Sequence, residues 1–569
     1  LIEVGSIQRY EKMKLRFLLF TLLAFAFSSN ICLAQTHPRY LILFKDKAGS
    51  PYSIEKPAEY LSAKAISRRS KQNIPLTEND FPVNPAYLTA VKQTGATVLY
   101  SSRWFNGSLI EASDAQLASI KALSFFKGIE QNHALANISG PSAGLSRLAS
   151  VETETSTDED LNYGLMREQL TLMGTDILHK RGFHGEDMLI AILDAGFSRA
   201  NELQYLKPVF DEKRVIDTHD FISRNNNVYD DHTHGLNVLS TIAANQPGTM
   251  IGAAFKANFA LYRTENVLME TPYEEVTWLL AAERADSAGV DVINSSLGYA
   301  TFEGEFNSSE YNYTYADMDG KTTIISRAAR FATRKGILVV NSAGNEGNNA
   351  WHYITAPADV DSVLSVGATS LDKSYAAFSS VGPNAIGQLK PDISAVGSGT
   401  VLGNSVGTGN ATTGNGTSFS SPLIAGLSTI LWQAYPHLTA QQIILALKKS
   451  GHQASNPDNK LGYGVPNIAL AEEFIRNNFL VLGNEPDILN AIVLSPNPVQ
   501  ENLALAIPPT LTGKKSTVSL ISQSGKTIWV SQLVLSNTMT IPATTLTAGL
   551  YLVKIEVANR IRTLKFIKQ

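Results

Sequence analysis

One cysteine in 569 residues, Cys32, excludes a fold stapled by disulfides. Because Cys32 lies in an N-terminal apolar run, the rest of the chain also lacks a thiol nucleophile. An excess of either charge is missing too. Lys and Arg total 47 against 51 Asp and Glu, a net charge of -4, which gives no basic surface for nucleic acid. Past the N-terminal run no apolar stretch reaches bilayer length, so no transmembrane anchor is expected in the mature chain. What is present is ordinary for a globular protein, with 44% apolar and 8% aromatic residues. The length is too great for one ordinary domain.

The N-terminal run itself has a secretory pattern. "MKLRFLLFTLLAFAFSSNICLAQ" starts at Met13, carries Lys14 and Arg16 before the apolar stretch, and ends in small residues. This predicts a signal peptide over 13–34, cleaved after Ala34, that removes Cys32; residues 1–12 read as lying upstream of the true start. Ser29-Asn30-Ile31 before Cys32 lacks the pattern of a lipid-anchor site. The expected location is therefore secreted or cell-surface, by way of the periplasm.

Three units follow. Residues 36–135 alternate strand-like and helix-like segments, from "RYLILF" through "DAQLASIKAL", whose helix is expected to be capped by Asp114, to "FFKGIEQN"; they predict a small α+β domain. The Ser-, Thr- and acid-rich segment 136–161 reads as a linker of the kind proteases cut. In 162–475, short continuous apolar runs ("MLIAIL", "VDVIN", "ILVVN", "VLSVG") are separated by helix-length segments. Such runs predict parallel strands covered on both faces, an α/β doubly wound, mostly parallel sheet. Two helices carry capping-box patterns, one at Thr271, Pro272 and Glu274 that stops at Gly289, the other at Thr439 and Gln442. Residues 486–569 alternate with period two and predict a small β-sandwich.

The chemistry concentrates in the middle unit. "LIAILDAGF" puts Asp194 at the carboxyl end of a strand, where functional residues of open α/β sheets gather. "DDHTHGLNVLSTIAA" offers His234 before a helix of small residues, with Asp230, Asp231 and His232 as neighbours; no helical His-x-x-x-His or cysteine spacing supports a metal there. "NSAGNEG" sets Gly344 and Asn345 in a loop after another strand, where the amide can donate to an oxyanion or simply build a turn. "DVINSSLG" ends a further strand, and Ser295, Ser296, Leu297 and Gly298 are expected to expose a backbone edge to which an extended peptide could pair. "GNGTSFSSPLIAG" brings Ser418, Ser420 and Ser421 to the start of a buried helix that Pro422 is expected to open. The residues alone leave those three hydroxyls in competition.

The order Asp, His, Asn, Ser over about 185–470, with "HGLNVLSTIAA", "INSSLG", "NSAGNEG" and "GTSFSSPLIAG", resembles the subtilisin-like serine peptidases. The resemblance implies a secreted serine endopeptidase working through an acyl-enzyme. It makes Ser418 the nucleophile, His234 the base and then acid, Asp194 the residue orienting the imidazole, and Asn345 an oxyanion donor. Ser295 to Gly298 and Gly344 would hold substrate. It implies polypeptide substrates and no cofactor for the chemistry; relatives often bind structural calcium, for which no ligands can be picked in this sequence. It makes 36–135 an inhibitory, folding-assisting propeptide. The last unit ("SPNP", "AGLYLVKI") resembles sorting domains of the type IX secretion route, whose machinery would be a partner. Two departures stand out: Asn237 replaces a non-catalytic histidine, and the segment 302–320 is long for the family. A catalytically silent member serving as an adhesin would not need an intact triad. An α/β-hydrolase esterase would need Gly-x-Ser-x-Gly and the opposite residue order.

Overall fold

The computed structural model describes residues 37–136, 161–479, 489, 492–508, 511–557 and 560–569. The expected signal peptide 13–34, all but the ends of the linker 136–161, and residues 480–488 and 490–491 lie outside these residues. The chain divides into two compact units, 1–474 and 475–569.

The first unit begins with β1 (Arg39–Phe44), α1 (Ala63–Lys71), α2 (Pro85–Gln93), β2 (Thr97–Ser102), β3 (Gly107–Glu111), α3 (Asp114–Lys121) and β4 (Phe126–Ile129). The strands form an antiparallel sheet in the order β2-β3-β1-β4. Alternation in β1 serves two cores at once. Tyr40, Ile42 and Phe44 pack on this domain's own helices, while Leu41 joins the core of the larger α/β domain. The cap of α3 is Ser113, in a capping box with Gln116, and Asp114 is the first helical residue. The expected assignment was thus one residue late, because the side chain that reaches back to the helix amides sits outside the helix.

The α/β domain is built on seven parallel strands in the order β11-β10-β9-β8-β5-β7-β6. These are β5 (Leu189–Asp194), β6 (Val215–Asp220), β7 (Asn258–Arg263), β8 (Val292–Ser295), β9 (Leu338–Ser342), β10 (Leu364–Thr369) and β11 (Ile393–Val396). Every residue of β5, β8, β9, β10 and β11 is buried, as expected for strands covered on both faces. One face (Leu189, Ala191, Leu193, Ile293, Val339) packs on α5 (Tyr273–Ala288) and α6 (Ile324–Arg334). Against the other lie α4 (His234–Ala243) and α7 (Thr417–Ala434). The chain winds from β5 through β6 to β7 on one side of β5, and α5 then carries it to β8 on the other. The winding therefore reverses between β5 and β8, and a crevice opens at their carboxyl ends.

The α+β domain sits on α5 and α6 through buried charge. Asp286 of α5, 0% exposed, pairs with Arg68, with Arg69 at 2.7 Å and with Arg103 at 2.5 Å. Glu283 accepts hydrogen bonds from Ser102 Oγ at 2.6 Å and from the amides of Arg103 and Trp104. Asp80 answers with Lys335 at 2.9 Å. With three guanidinium groups around one carboxylate, loss of the smaller domain would leave Asp286 without a cation among these partners.

Outside the parallel sheet, β12 (Thr400–Gly403) pairs antiparallel with β13 (Ala411–Gly414). The second unit holds β14 (Val493–Ser495), β15 (Asn502–Ala506), β16 (Lys515–Ser522), β17 (Thr527–Val534), β18 (Thr538–Pro542), β19 (Gly549–Val557) and β20 (Arg560–Lys568). They make a three-stranded sheet, β14-β15-β18, and a four-stranded one, β17-β16-β19-β20, whose inward residues share one core. That is the expected antiparallel sandwich.

Candidate active site

Asp194 closes β5, and its side chain is 1% exposed. Its Oδ1 accepts the amide of Ala195 at 2.8 Å and lies 2.7 Å from His234 Nδ1. A carboxylate can only accept, so Nδ1 carries the hydrogen and Nε2 is left with a lone pair. Burial works against charge on the His234 imidazole, but the adjacent Asp194 carboxylate outweighs it and raises the pKa above the usual histidine value. His234 opens α4, and its ring stands 5.7 Å from that of Phe419, the residue after Ser418.

The three competing hydroxyls separate cleanly. Ser421 Oγ donates to Asn294 at 2.9 Å, inside the fold. Ser420 is fully buried, and its Oγ lies 2.3 Å from where a Cβ on Gly397 would be. Ser418 alone is half-buried, and its Oγ donates to the Ser296 carbonyl at 3.1 Å. Ser418, next in the chain to Phe419 whose ring lies near that of His234, thus has its hydroxyl turned to Ser296; contacts between a catalytic hydroxyl and its base commonly tighten only when substrate is bound.

The helix carrying Ser418 starts at Thr417, with Pro422 inside it, not at Pro422 as the sequence suggested. The missing Pro422 amide would have bonded the Ser418 carbonyl one turn back. That carbonyl instead accepts Ser296 Oγ at 2.9 Å, so the proline frees an acceptor that ties the two segments together. Ser296 Oγ is itself held by Asn294 Nδ2 at 3.0 Å.

Asn345 is held from one side. Its Oδ1 accepts the Thr417 amide at 2.9 Å and the Thr417 hydroxyl at 3.0 Å, which leaves Nδ2 as a donor. Gly344 has φ +107, and a Cβ there would lie 2.7 Å from Ser380 Oγ. A Cβ on Gly298 would lie 2.1 Å from Thr355 Oγ1. Both glycines keep the floor between the β8 and β9 loops at backbone level. Ser295 differs from expectation. Its backbone pairs with Leu193 on one side and Asn341 on the other, and its Oγ accepts Trp278 Nε1 at 3.0 Å. The sheet continues one residue further than the apolar run implied, so the strand end outside the sheet is Ser296 to Gly298.

Asn237, the departure beside the base, donates to the Gly403 carbonyl at 2.6 Å and so ties α4 to the strand Thr400–Gly403. The long segment contributes Phe302, Phe306 and Tyr313 to the core, and Gln131 donates to the Tyr313 hydroxyl at 2.7 Å. It also brings Glu303 to a cavity that Glu265, Glu270 and Glu274 line next to His234. No periodicity marks these four carboxylates in the sequence. For Glu265, Glu270 and Glu274 the one signal is that "RTENVLMETPYEE" follows the carboxyl end of a strand neighbouring that of Asp194, while Glu303 lies in the long segment 302–320.

The subtilase family profile matches residues 185–464, that of the Peptidase S8 propeptide domain, Bacteroidota, residues 39–145, and that of the secretion system C-terminal sorting domain residues 494–569. Subtilisin DY of Bacillus licheniformis is 27% identical over 297 residues, covering 52% of this chain and 93% of the relative. Subtilisin E of Bacillus subtilis (strain 168) is 27% identical over 300 residues, with 52% and 68% covered. The crystal structure of MycP1 from Mycobacterium smegmatis superposes with a TM-score of 0.43 at 20% identity, covering 56% of this chain and 89% of that one. With the three profiles in chain order along it, this chain carries a subtilase-family peptidase domain and is a serine endopeptidase with its own propeptide domain and a secretion sorting domain.

Proposed function

We propose that Asp194, His234 and Ser418 hydrolyse peptide bonds through an acyl-enzyme. The observation that carries this is the 2.7 Å Asp194–His234 contact, taken with Ser418 being the one half-buried serine of the three. Ser418 Oγ gives its proton to His234 Nε2 as it attacks the scissile carbonyl carbon. The resulting imidazolium is stabilised by Asp194, and Asn345 Nδ2 and the free amides at the start of α7 meet the oxyanion. As the C–N bond breaks, Nε2 protonates the leaving amine, and water then repeats the sequence on the ester. The loop Ser296–Gly298, with Ser295 behind it, and Gly344 would flank the substrate chain.

The domain reading is a signal peptide 13–34, propeptide 36–135, linker 136–161, peptidase 162–475 and sorting domain 486–569. The sorting domain addresses the protein to its secretion machinery, and the product acts outside the cell or at its surface. The chemistry needs no cofactor in this reading. No calcium ligand set is assigned, as no three His, Cys, Asp or Glu side chains converge among the described residues.

Intact mass with and without a fluorophosphonate probe tests the reading. One adduct on Ser418, on a species lacking the propeptide, is the expected result; no adduct refutes the assignment. Asn345→Ala is expected to lower kcat by roughly 10² to 10³ with little change in KM, because its amide meets charge that exists only in the transition state. A variant with unchanged kcat removes Asn345 from the site.

A further inference from the structure

The cavity beside His234 has a volume of about 330 Å³ and shares Asp194, His234 and the loop Ser296–Gly298 with the reaction centre. Four glutamates line it, and no lysine or arginine does among the described residues. They lie at graded depth, with Glu303 exposed at the rim, Glu265 and Glu270 half-buried, and Glu274 1% exposed. Their hydrogen bonds are few. Tyr299 donates its hydroxyl to Glu265, and the amides of Asn266 and Thr271 reach Glu274 at 2.5 and 3.2 Å. The Glu270 amide donates to Glu303 at 3.2 Å.

A second observation is independent of that cluster. Asp194 Oδ2, on a side chain 1% exposed that lines the same cavity, is buried and accepts no hydrogen bond. A buried acceptor without a donor is costly, so this wall of the cavity holds negative charge that no donor of the fold answers at Oδ2, and a cationic guest nearby would offset it. Burial, and then the charges of Glu265 and Glu303, push Glu270 up to about 8; burial pushes Glu265 up to about 7. A cation entering the cavity would return both to their charged forms.

Resting on the peptidase reading above, we infer that this cavity is a specificity subsite that takes a lysine or arginine side chain of the substrate, close to the scissile bond. The class of guest follows from the geometry. The carboxylates do not converge as a compact metal ion would need, but they are strung from rim to floor, which suits a long side chain with a cationic end. The guest belongs to the substrate because the cavity opens beside His234 along Ser296–Gly298, where an extended chain would lie. The same carboxylates would turn away acidic residues.

The test compares arginine with citrulline, its neutral near-isostere, placed in turn at the four positions before and two after the scissile bond of a fluorogenic peptide. The full-length precursor is first allowed to mature, and active enzyme is counted by fluorophosphonate labelling. At one position kcat/KM is expected to be about 10- to 100-fold higher for arginine, mostly through KM, with the ratio falling as salt is raised. In Glu270→Gln/Glu303→Gln enzyme that ratio should fall towards one, and labelling confirms that this variant is folded. A ratio of one at every position, in enzyme that labels and cleaves, overturns this inference alone. Failure to label or cleave at all overturns the peptidase reading with it. A preference that micromolar calcium abolishes at constant ionic strength would make the cavity a metal site and also overturns the inference.

Discussion

Ser418→Ala is expected to lower kcat by about 10⁶-fold, the loss subtilisin itself suffers without its nucleophile, and to leave a folded protein. Only the hydrogen bond from Ser418 Oγ to Ser296 disappears from the fold, a loss of about 1 kcal/mol. The same variant should accumulate the form that still carries residues 37–136, since self-cleavage needs the same hydroxyl. Normal processing of the variant would assign the cleavage to another protease. Ser420→Ala is the control: its Oγ is buried without a hydrogen-bond partner, so its removal should change kcat by less than about tenfold. Equal losses from the two variants, measured as active-site-normalised kcat, would overturn the choice between them.

Asp194→Asn is expected to cost about 10⁴-fold in kcat and to move the acid limb of the pH profile downwards. The amide leaves the shape of the site intact but no longer fixes the hydrogen on Nδ1, so Nε2 loses its role as acceptor. The sign of the pH shift follows from linkage. The His234 pKa is raised, chiefly because the Asp194 charge overcomes burial, and catalysis needs the neutral ring. In the parent enzyme kcat/KM should therefore rise with pH through a point above 6.5, the ordinary histidine value. Without the carboxylate that point should fall. Stability runs the other way: the increment from charged His234 is full below the ordinary value and is lost as pH rises through the raised one. The enzyme works where that increment is gone. An acid limb that stays in place in Asp194→Asn would detach Asp194 from the base.

The chain's order of motifs was enough to point to subtilases and to nominate the candidate site. Asp194, His234, Asn345 and Ser418 sit in short segments whose residue types and order are distinctive, and each lies at or near an element end that local rules locate. The buried parallel strands were legible for the same reason, since continuous apolar runs bounded by small residues have few other uses. The expected helix start at Pro422 was wrong because the proline's missing amide is compensated across the fold, by Ser296 Oγ on the Ser418 carbonyl. Ser295 was placed on an open edge because a sequence does not show which strands lie on either side of its own.

Local sequence thus determined which groups are proposed to do the chemistry: a hydroxyl, an imidazole, a carboxylate and an amide, each at or near the end of an element. Tertiary structure decided which of the three hydroxyls stays half-buried, Ser418, by burying Ser420 and tying Ser421 to Asn294. It also gathered Glu265, Glu270, Glu274 and Glu303 into one cavity and placed Arg68, Arg69 and Arg103 around Asp286. The physical reason is range. Capping, turns and periodicity act over a few residues, whereas burial and charge depend on which distant segments the sheet order makes neighbours.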